Sequence, residues 1–303
     1  MRGGRVRAKI FTKSIQDDRL KNVLHKFALG IRASGDFAEI SDATEYSDCD
    51  IAIFFGSWKD RLAEHHILKN DIVKNVRNFI VLETPLIGRM PVQLVMPDQW
   101  FRIGLNGFLA DTGLFNNKNC DSHRWEKISR DLKIEPKSYT NQNGPIVIAL
   151  QLPGDASLKG EIIERWASVC VREIRQQTER PIIIRTPQLV SRFQKKWISD
   201  IAQHDKIIFQ QGTAANLIET ISTAFCTVTY SSGFAIDSLL NGCPTVAMSP
   251  SSFCYDIAQN NVQKIEMIGK PDRAQWLNDL SYAQWHENEI EQGSPWRHLK
   301  QLL

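Results

Sequence analysis

Five short apolar runs, IVIAL (146–150), PIIIR (181–185), KIIFQ (206–210), CTVTYS (226–231) and PTVAMS (244–249), alternate with stretches of helical periodicity near 159–178, 189–203, 213–223 and 233–241. Parallel neighbours cannot be joined by a tight hairpin. The alternation therefore constrains this part of the chain to an α/β fold with a doubly wound parallel sheet. The first half repeats the theme as β-α-β-β-α-β: VRAKIFT (6–12), an amphipathic helix opened by Asp17 and Asp18, FAEI (37–40), DIAIFFG (50–56), a helix over 60–76, and NFIVLE (78–83). Beyond Pro85 the pattern weakens, and the Gly- and Asn-rich stretch 103–119 reads as an irregular, functional loop. KIEPKSYTNQNGP (133–145) is polar and aperiodic, the composition of a linker. The expected organisation is a domain over 1–135, a second over 145–271, and C-terminal helices over 272–303 that brace the first.

Composition matters here mainly for what it excludes. With 42% hydrophobic and 23% charged residues the chain is neither disordered nor fibrous. No apolar run approaches the roughly 18 residues that cross a bilayer, and no signal-type block follows the basic start, so a cytoplasmic protein without a membrane partner is expected. The six scattered cysteines read as buried thiols. A net charge of +3 is mild, but residues 1–32 carry nine basic side chains against Asp17 and Asp18, while residues 136–303 balance at 16 of each sign. The excess lies in the first half.

In an open parallel sheet the ligand crevice lies beyond the carboxyl ends of the strands. Those ends carry Gln151, Asp155 and Ser157 after the first strand of the second half, Arg185 after the next, Gln211 after the third, and Tyr230, Ser231, Ser232 and Gly233 after the fourth. The last group turns directly into FAIDSLLNG, with Asp237 one turn in, and free backbone N–H groups beside two hydroxyls suit an anion. Ordinary N-capping by Ser231 or Ser232 is the bland alternative. Four polar strand ends together favour a nucleotide that carries a sugar.

These residues, with the run from Ser231-Ser232-Gly233 through Asp237-Ser238-Leu239-Leu240 to Gly242-Cys243-Pro244-Thr245-Val246, resemble the donor half of GT-B glycosyltransferases. The branch they look most like is that of the capsular-polysaccharide transferases. The resemblance covers roughly residues 145–250. It implies two Rossmann-like domains facing across a cleft, a nucleotide-sugar donor as co-substrate on the second, an acceptor on the first, and no cofactor. One departure is Arg185-Thr186-Pro187-Gln188 where the family has His-Pro against the donor phosphate; Arg185 would replace the histidine's charge. The tail run Asp272-Arg273, Trp276-Leu277, Tyr282, Gln284-Trp285, Glu289-Ile290, Gly293 and Trp296 is similar to tails of tailed-phage proteins.

The first half must then supply acceptor contacts and a base. Ser57, Trp58 and Lys59 stand at the end of its strongest strand, and Arg89 follows Glu83-Thr84-Pro85 at the end of the next. A carboxylate there could deprotonate an acceptor hydroxyl, with Glu83 first, then Asp111 and Asp18. An ion pair with Arg89 is the bland reading of Glu83. Asp48-Cys49-Asp50 has the D-x-D spacing of a metal site but precedes its strand, and His65-His66 lacks a second ligand pair, so no metal is expected. The basic segment, including Arg7 and Lys13, and the phage-like tail point to 5-hydroxymethylpyrimidine in double-stranded phage DNA as the acceptor. A capsule or lipopolysaccharide glycan is the alternative, and a non-catalytic nucleotide or nucleic-acid binder of the same fold is a third reading.

Overall fold

The computed structural model describes residues 5–13, 15–59, 63–88, 99–139, 143–188, 190–203 and 205–303. It is an α/β protein with two sheets. The first contains β1 (Arg7–Phe11), β2 (Phe37–Ser41), β3 (Ile51–Phe55), β4 (Asn78–Glu83), β5 (Trp100–Leu105) and β11 (Gln284–His286) in the order β11-β5-β4-β3-β1-β2. The second is β10-β9-β6-β7-β8, from β6 (Ile146–Ala149), β7 (Ile182–Thr186), β8 (Ile207–Gln211), β9 (Cys226–Thr229) and β10 (Thr245–Ala247). Every pair in the second sheet is parallel, and renumbered from its first strand the order is 3-2-1-4-5, the Rossmann arrangement. β1 to β4 are also parallel, but β5 runs antiparallel to β4 and β11 antiparallel to β5.

Two elements depart from the sequence reading. Residues 103–105, assigned above to an irregular stretch, complete β5, and the run WFRIGL before Asn106-Gly107 is a strand entering a turn. Leu105 bridges back to Leu114, and Gly104 has no room for a side chain because a Cβ there would lie 2.3 Å from the Gly107 carbonyl oxygen. The tail, read as helical throughout, has α8 (Ala274–Ser281), α9 (Glu287–Glu291) and α10 (Ser294–Lys300) but also supplies β11.

Helix α1 (Asp18–Ala33) is capped by the Asp17 side chain, which accepts from the backbone N–H of Arg19 and Leu20, and buries Val23, Leu24, Phe27 and Ile31 against the sheet. Gly30 lets the tail cross it closely, since a Cβ would meet the Ile290 carbonyl oxygen at 2.2 Å. The crossing is pinned at Asp36, 6% exposed, which accepts from the Trp296 indole at 2.8 Å, Lys300 Nζ at 2.6 Å and Val6 N at 3.0 Å. Burial pushes the Asp36 carboxyl up, but these hydrogen bonds outweigh it and hold it below the usual carboxylate range. Arg124 on α3 (His123–Leu132) lies over the Trp285 ring and pairs with Glu289 at 2.8 Å.

The two halves share a core. Leu86, Ile87, Trp100, Phe115 and Ile128 pack with Ala235, Ile236, Leu239 and Cys254 of the second half and with Leu277 and Leu280 of the tail. Five cysteines are buried and Cys120 is partly exposed; all are free thiols. Among the described residues no helix is long and apolar enough to cross a membrane.

Candidate active site

The carboxyl ends of the parallel strands of both sheets open onto one cavity of about 630 Å³. From the first half, Ser57, Lys59, Glu83, Thr84, Arg102 and Phe108 line it. From the second come Gln151, Asp155, Ser157, Arg185, Thr213, Ser231, Ser232, Gly233 and Asp237, with Ser251, Ser252 and Phe253 at the junction.

On the second wall the polar side chains are tied to one another. Gln151 donates to Ser157 Oγ at 2.5 Å and Ser231 Oγ at 3.0 Å, and its Oε1 accepts from Ser231 N at 3.0 Å. Asp155 accepts from Ser157 N at 2.9 Å and Ser157 Oγ at 2.7 Å. One network thus joins the ends of β6 and β9. Ser232 Oγ accepts from Phe234 N at 3.2 Å at the start of α7 (Phe234–Leu240) while still facing the cavity. The N-cap of α7 is Gly233 with no side-chain cap, so neither Ser231 nor Ser232 caps the helix as the bland reading had it; the Ser232 bond closes the turn that leads into it.

Arg185 is buried and committed to the scaffold: it donates to Gln210 Oε1 at 3.2 Å, Asn216 Oδ1 at 2.6 Å and Thr213 O at 2.9 Å, bracing the turn after β8. Burial lowers its pKa and the neighbouring Asp237 carboxylate opposes that shift. Its charge therefore sits fixed in the wall instead of reaching out like a free side chain. Two expected donor residues are not on the lining. Gln211 is exposed and donates to Gln188 O at 3.0 Å, and Tyr230 packs edge-on against Trp166 in the core of the second half.

On the first wall Glu83 and Arg102 are directly opposed in the β4–β5 register, which puts both side chains on one face of the sheet. Glu83 Oε1 accepts from Thr84 N at 2.8 Å. The Arg102 guanidinium lies 5.5 Å from the ring centres of Phe108 and of Phe253, one ring from each half. The sequence reading names no element at Trp100–Arg102 and so does not single out Arg102; the apolar run ending at Asn106-Gly107 is the local signal for the strand, though not for the side chain's place in the cleft.

Several expected first-half residues lie elsewhere. Asp18 is an exposed residue of the first turn of α1, 3.6 Å from Lys21. Arg7 is at the amino end of β1, away from the cavity, 3.9 Å from Asp48 and 3.6 Å from Asp50. Trp58 packs edge-on against Phe54, Phe79 and Phe108 as part of the core. Lys13 borders a separate small pocket with His65 and Glu64, and Arg89 lies outside the described residues. Asp111 is engaged across the halves: Lys159 Nζ is 2.5 Å from its Oδ2, and Ser251 Oγ donates to it at 3.1 Å. A second bridge runs from Lys59 Nζ to the Gly154 carbonyl. Among the described residues no group of three or more metal-binding side chains comes together.

Solved structures share this fold. The beta Kdo 2,4 transferase of Thermosulfurimonas dismutans KpsC superimposes with a TM-score of 0.58 at 13% identity, over 94% of this chain and 93% of that one. The beta Kdo 2,7 transferase of the same protein gives 0.52 at 12% identity, over 98% and 99%. At such identities the likeness shows the fold. The chain has the GT-B architecture, two Rossmann-like sheets facing a single cleft. No family model and no curated protein matches the sequence.

Proposed function

We propose that this chain is a glycosyltransferase that moves a sugar from a nucleotide donor on the second wall to a hydroxyl of a surface glycan of the capsule type on the first. The observation that carries the reading is the cavity itself, where a carboxylate at the end of β4 faces the linked hydroxyl and amide groups at the ends of β6 and β9. Glu83 takes the proton of the acceptor hydroxyl as that oxygen bonds to the sugar carbon and the bond to the leaving phosphate breaks. Gln151, Ser231, Ser232 and the fixed charge of Arg185 receive the phosphate, whose growing negative charge is stabilised by donors already in place. Asp48 and Asp50 meet Arg7 at the amino end of β1, away from the cavity, and the proposed reaction uses no metal from them.

The acceptor follows from where the basic residues lie. Of the surplus at the amino terminus, Arg7 meets Asp48 and Asp50, Lys9 meets Glu39, Arg19 meets Asp17, Lys21 meets Asp18 and Lys26 meets Glu287. Charges neutralised in this way give little purchase on a phosphate backbone. These pairings weaken the argument for hydroxymethylated DNA, and the two structural neighbours, both beta Kdo transferases, favour a glycan acceptor. The test is incubation with a panel of nucleotide sugars, nucleotide-activated Kdo among them, and two acceptors, a Kdo-terminated glycan and hydroxymethylated duplex DNA, followed by mass analysis. A sugar added to the glycan alone supports the reading. Transfer to DNA would restore the other acceptor, and nucleotide binding without any transfer would leave a binding protein.

A further inference from the structure

Helix α2 (Glu64–Asn75) carries a buried cation that the reaction above does not use. Lys69 is 7% exposed. Its ammonium reaches under the end of β3, donates to Ser57 O at 3.3 Å and lies 5.9 Å from the centre of the Phe54 ring. It can come this close because residue 56 is a glycine at φ +84°; a Cβ there would already be 3.3 Å from Lys69 Nζ. The next residue on α2 acts on the same turn, with Asn70 Nδ2 donating to Lys59 O at 2.8 Å. Two successive helix residues thus hold the turn that presents Ser57 and Lys59 to the cavity.

The same turn lies beside the candidate base. Gly56 N donates to Leu82 O at 2.8 Å, so the strand end beneath which the ammonium sits is bonded to the residue preceding Glu83. An ammonium withdrawn from water is costly unless an opposite charge compensates it. Among the described residues around it, the Phe54 ring on β3 and the Ser57 carbonyl carry no charge, His66 lies one turn earlier on α2, and the Glu83 carboxylate at the end of β4 supplies an opposite charge. Burial lowers the Lys69 pKa to about 8, and Glu83 opposes that shift.

We propose that Lys69 is a positioning residue of the active site: its buried ammonium, held beneath the ends of β3 and β4, is the electrostatic partner of Glu83 and fixes the turn that faces the acceptor. This rests on the glycosyltransferase reading for its kinetic consequence but not for the charge coupling, so the two are tested separately. Lysine-selective NMR across roughly pH 6 to 10 follows the Lys69 signal, identified by its loss in Lys69→Arg. The midpoint is expected near pH 8 in the native protein and lower in Glu83→Gln, where the opposing charge is gone. An unchanged midpoint would overturn the pairing whatever the enzyme transfers. In turnover assays Lys69→Met should lower kcat about tenfold or more with the donor KM little changed, and Lys69→Arg should recover part of the loss. A methionine variant with native kcat, or one whose loss is matched by a fall in melting temperature, would return Lys69 to a purely structural role. Failure of the native protein to transfer any sugar, with the NMR coupling intact, would count against the glycosyltransferase reading alone.

Discussion

The second sheet is complete within one uninterrupted stretch of chain, from Ile146 to Ala247, whereas the first takes its edge strand, Gln284–His286, from the far end of the sequence. The difference extends to the cleft. The wall made by the second sheet is a linked network of amide, hydroxyl and carboxylate groups, Gln151, Ser157, Ser231 and Asp155, with Asp237 beside it and Arg185 tied to the turn after β8. The wall made by the first is charged, with Glu83 opposite Arg102 and Lys69 beneath. In the proposed reaction the self-contained sheet would hold the donor, and the sheet assembled with help from the tail would present the base. The geometry of the first wall therefore depends on contacts far from it in sequence.

Removing residues 272–303 should break this comparison most severely. It deletes β11, uncovers the face of α1 and takes Trp296 out of the core, so hydrogen exchange should show lost protection across β1 to β5 and retained protection in β6 to β10. Equal loss in both sheets would mean that the shared core around Ile236 and Leu277 matters more than the strand.

Asp36→Ala leaves the Trp296 indole and Lys300 without their buried partner and should cost about 3 kcal/mol in denaturant unfolding. The sign of the pH dependence follows from the depressed Asp36 pKa. Its stabilising share is fully present above the pKa of the unfolded carboxyl and is lost as pH falls through the folded value, so the gap between native protein and variant should close in acid. A gap that widened in acid would contradict the assigned hydrogen bonds.

Asp111→Asn should have the smallest effect on stability, about 0.5–1 kcal/mol, because the Lys159 side chain opposite is 44% exposed and solvent screens the pair. Turnover should fall by no more than a few-fold. A loss of about a hundredfold with stability intact would return Asp111 to the role of base.

The outline of both sheets was legible because parallel strands buried on two faces read as continuous apolar runs, as in IIIRT and IVIA, with helical crossovers between them. The strand ends on the second wall followed from the same rule, and Gln151, Ser231 and Ser232 do line the cavity. What escaped was whatever depends on distant pairing. β5 is paired on both sides by antiparallel neighbours, one of them the tail, so nothing local marks Arg102 as a cleft residue. Tyr230 and Trp58 were misplaced because a strand end has two faces, and each ring turned to the core that offered an aromatic partner. The pairing of the basic amino terminus was illegible for a different reason: Glu39, Asp48 and Asp50, which meet Lys9 and Arg7, come from two later segments, and a charge count along the chain does not see them.

The division of labour between the walls is tested most directly by titration calorimetry of nucleoside mono- and diphosphates with the native protein, Ser232→Leu and Glu83→Gln, alongside turnover. Ser232→Leu should weaken nucleotide binding by about tenfold or more, while Glu83→Gln should bind as the native protein does and turn over about a hundredfold more slowly. Native nucleotide affinity in Ser232→Leu, together with lost affinity in Glu83→Gln, would place the donor on the first wall and contradict the account.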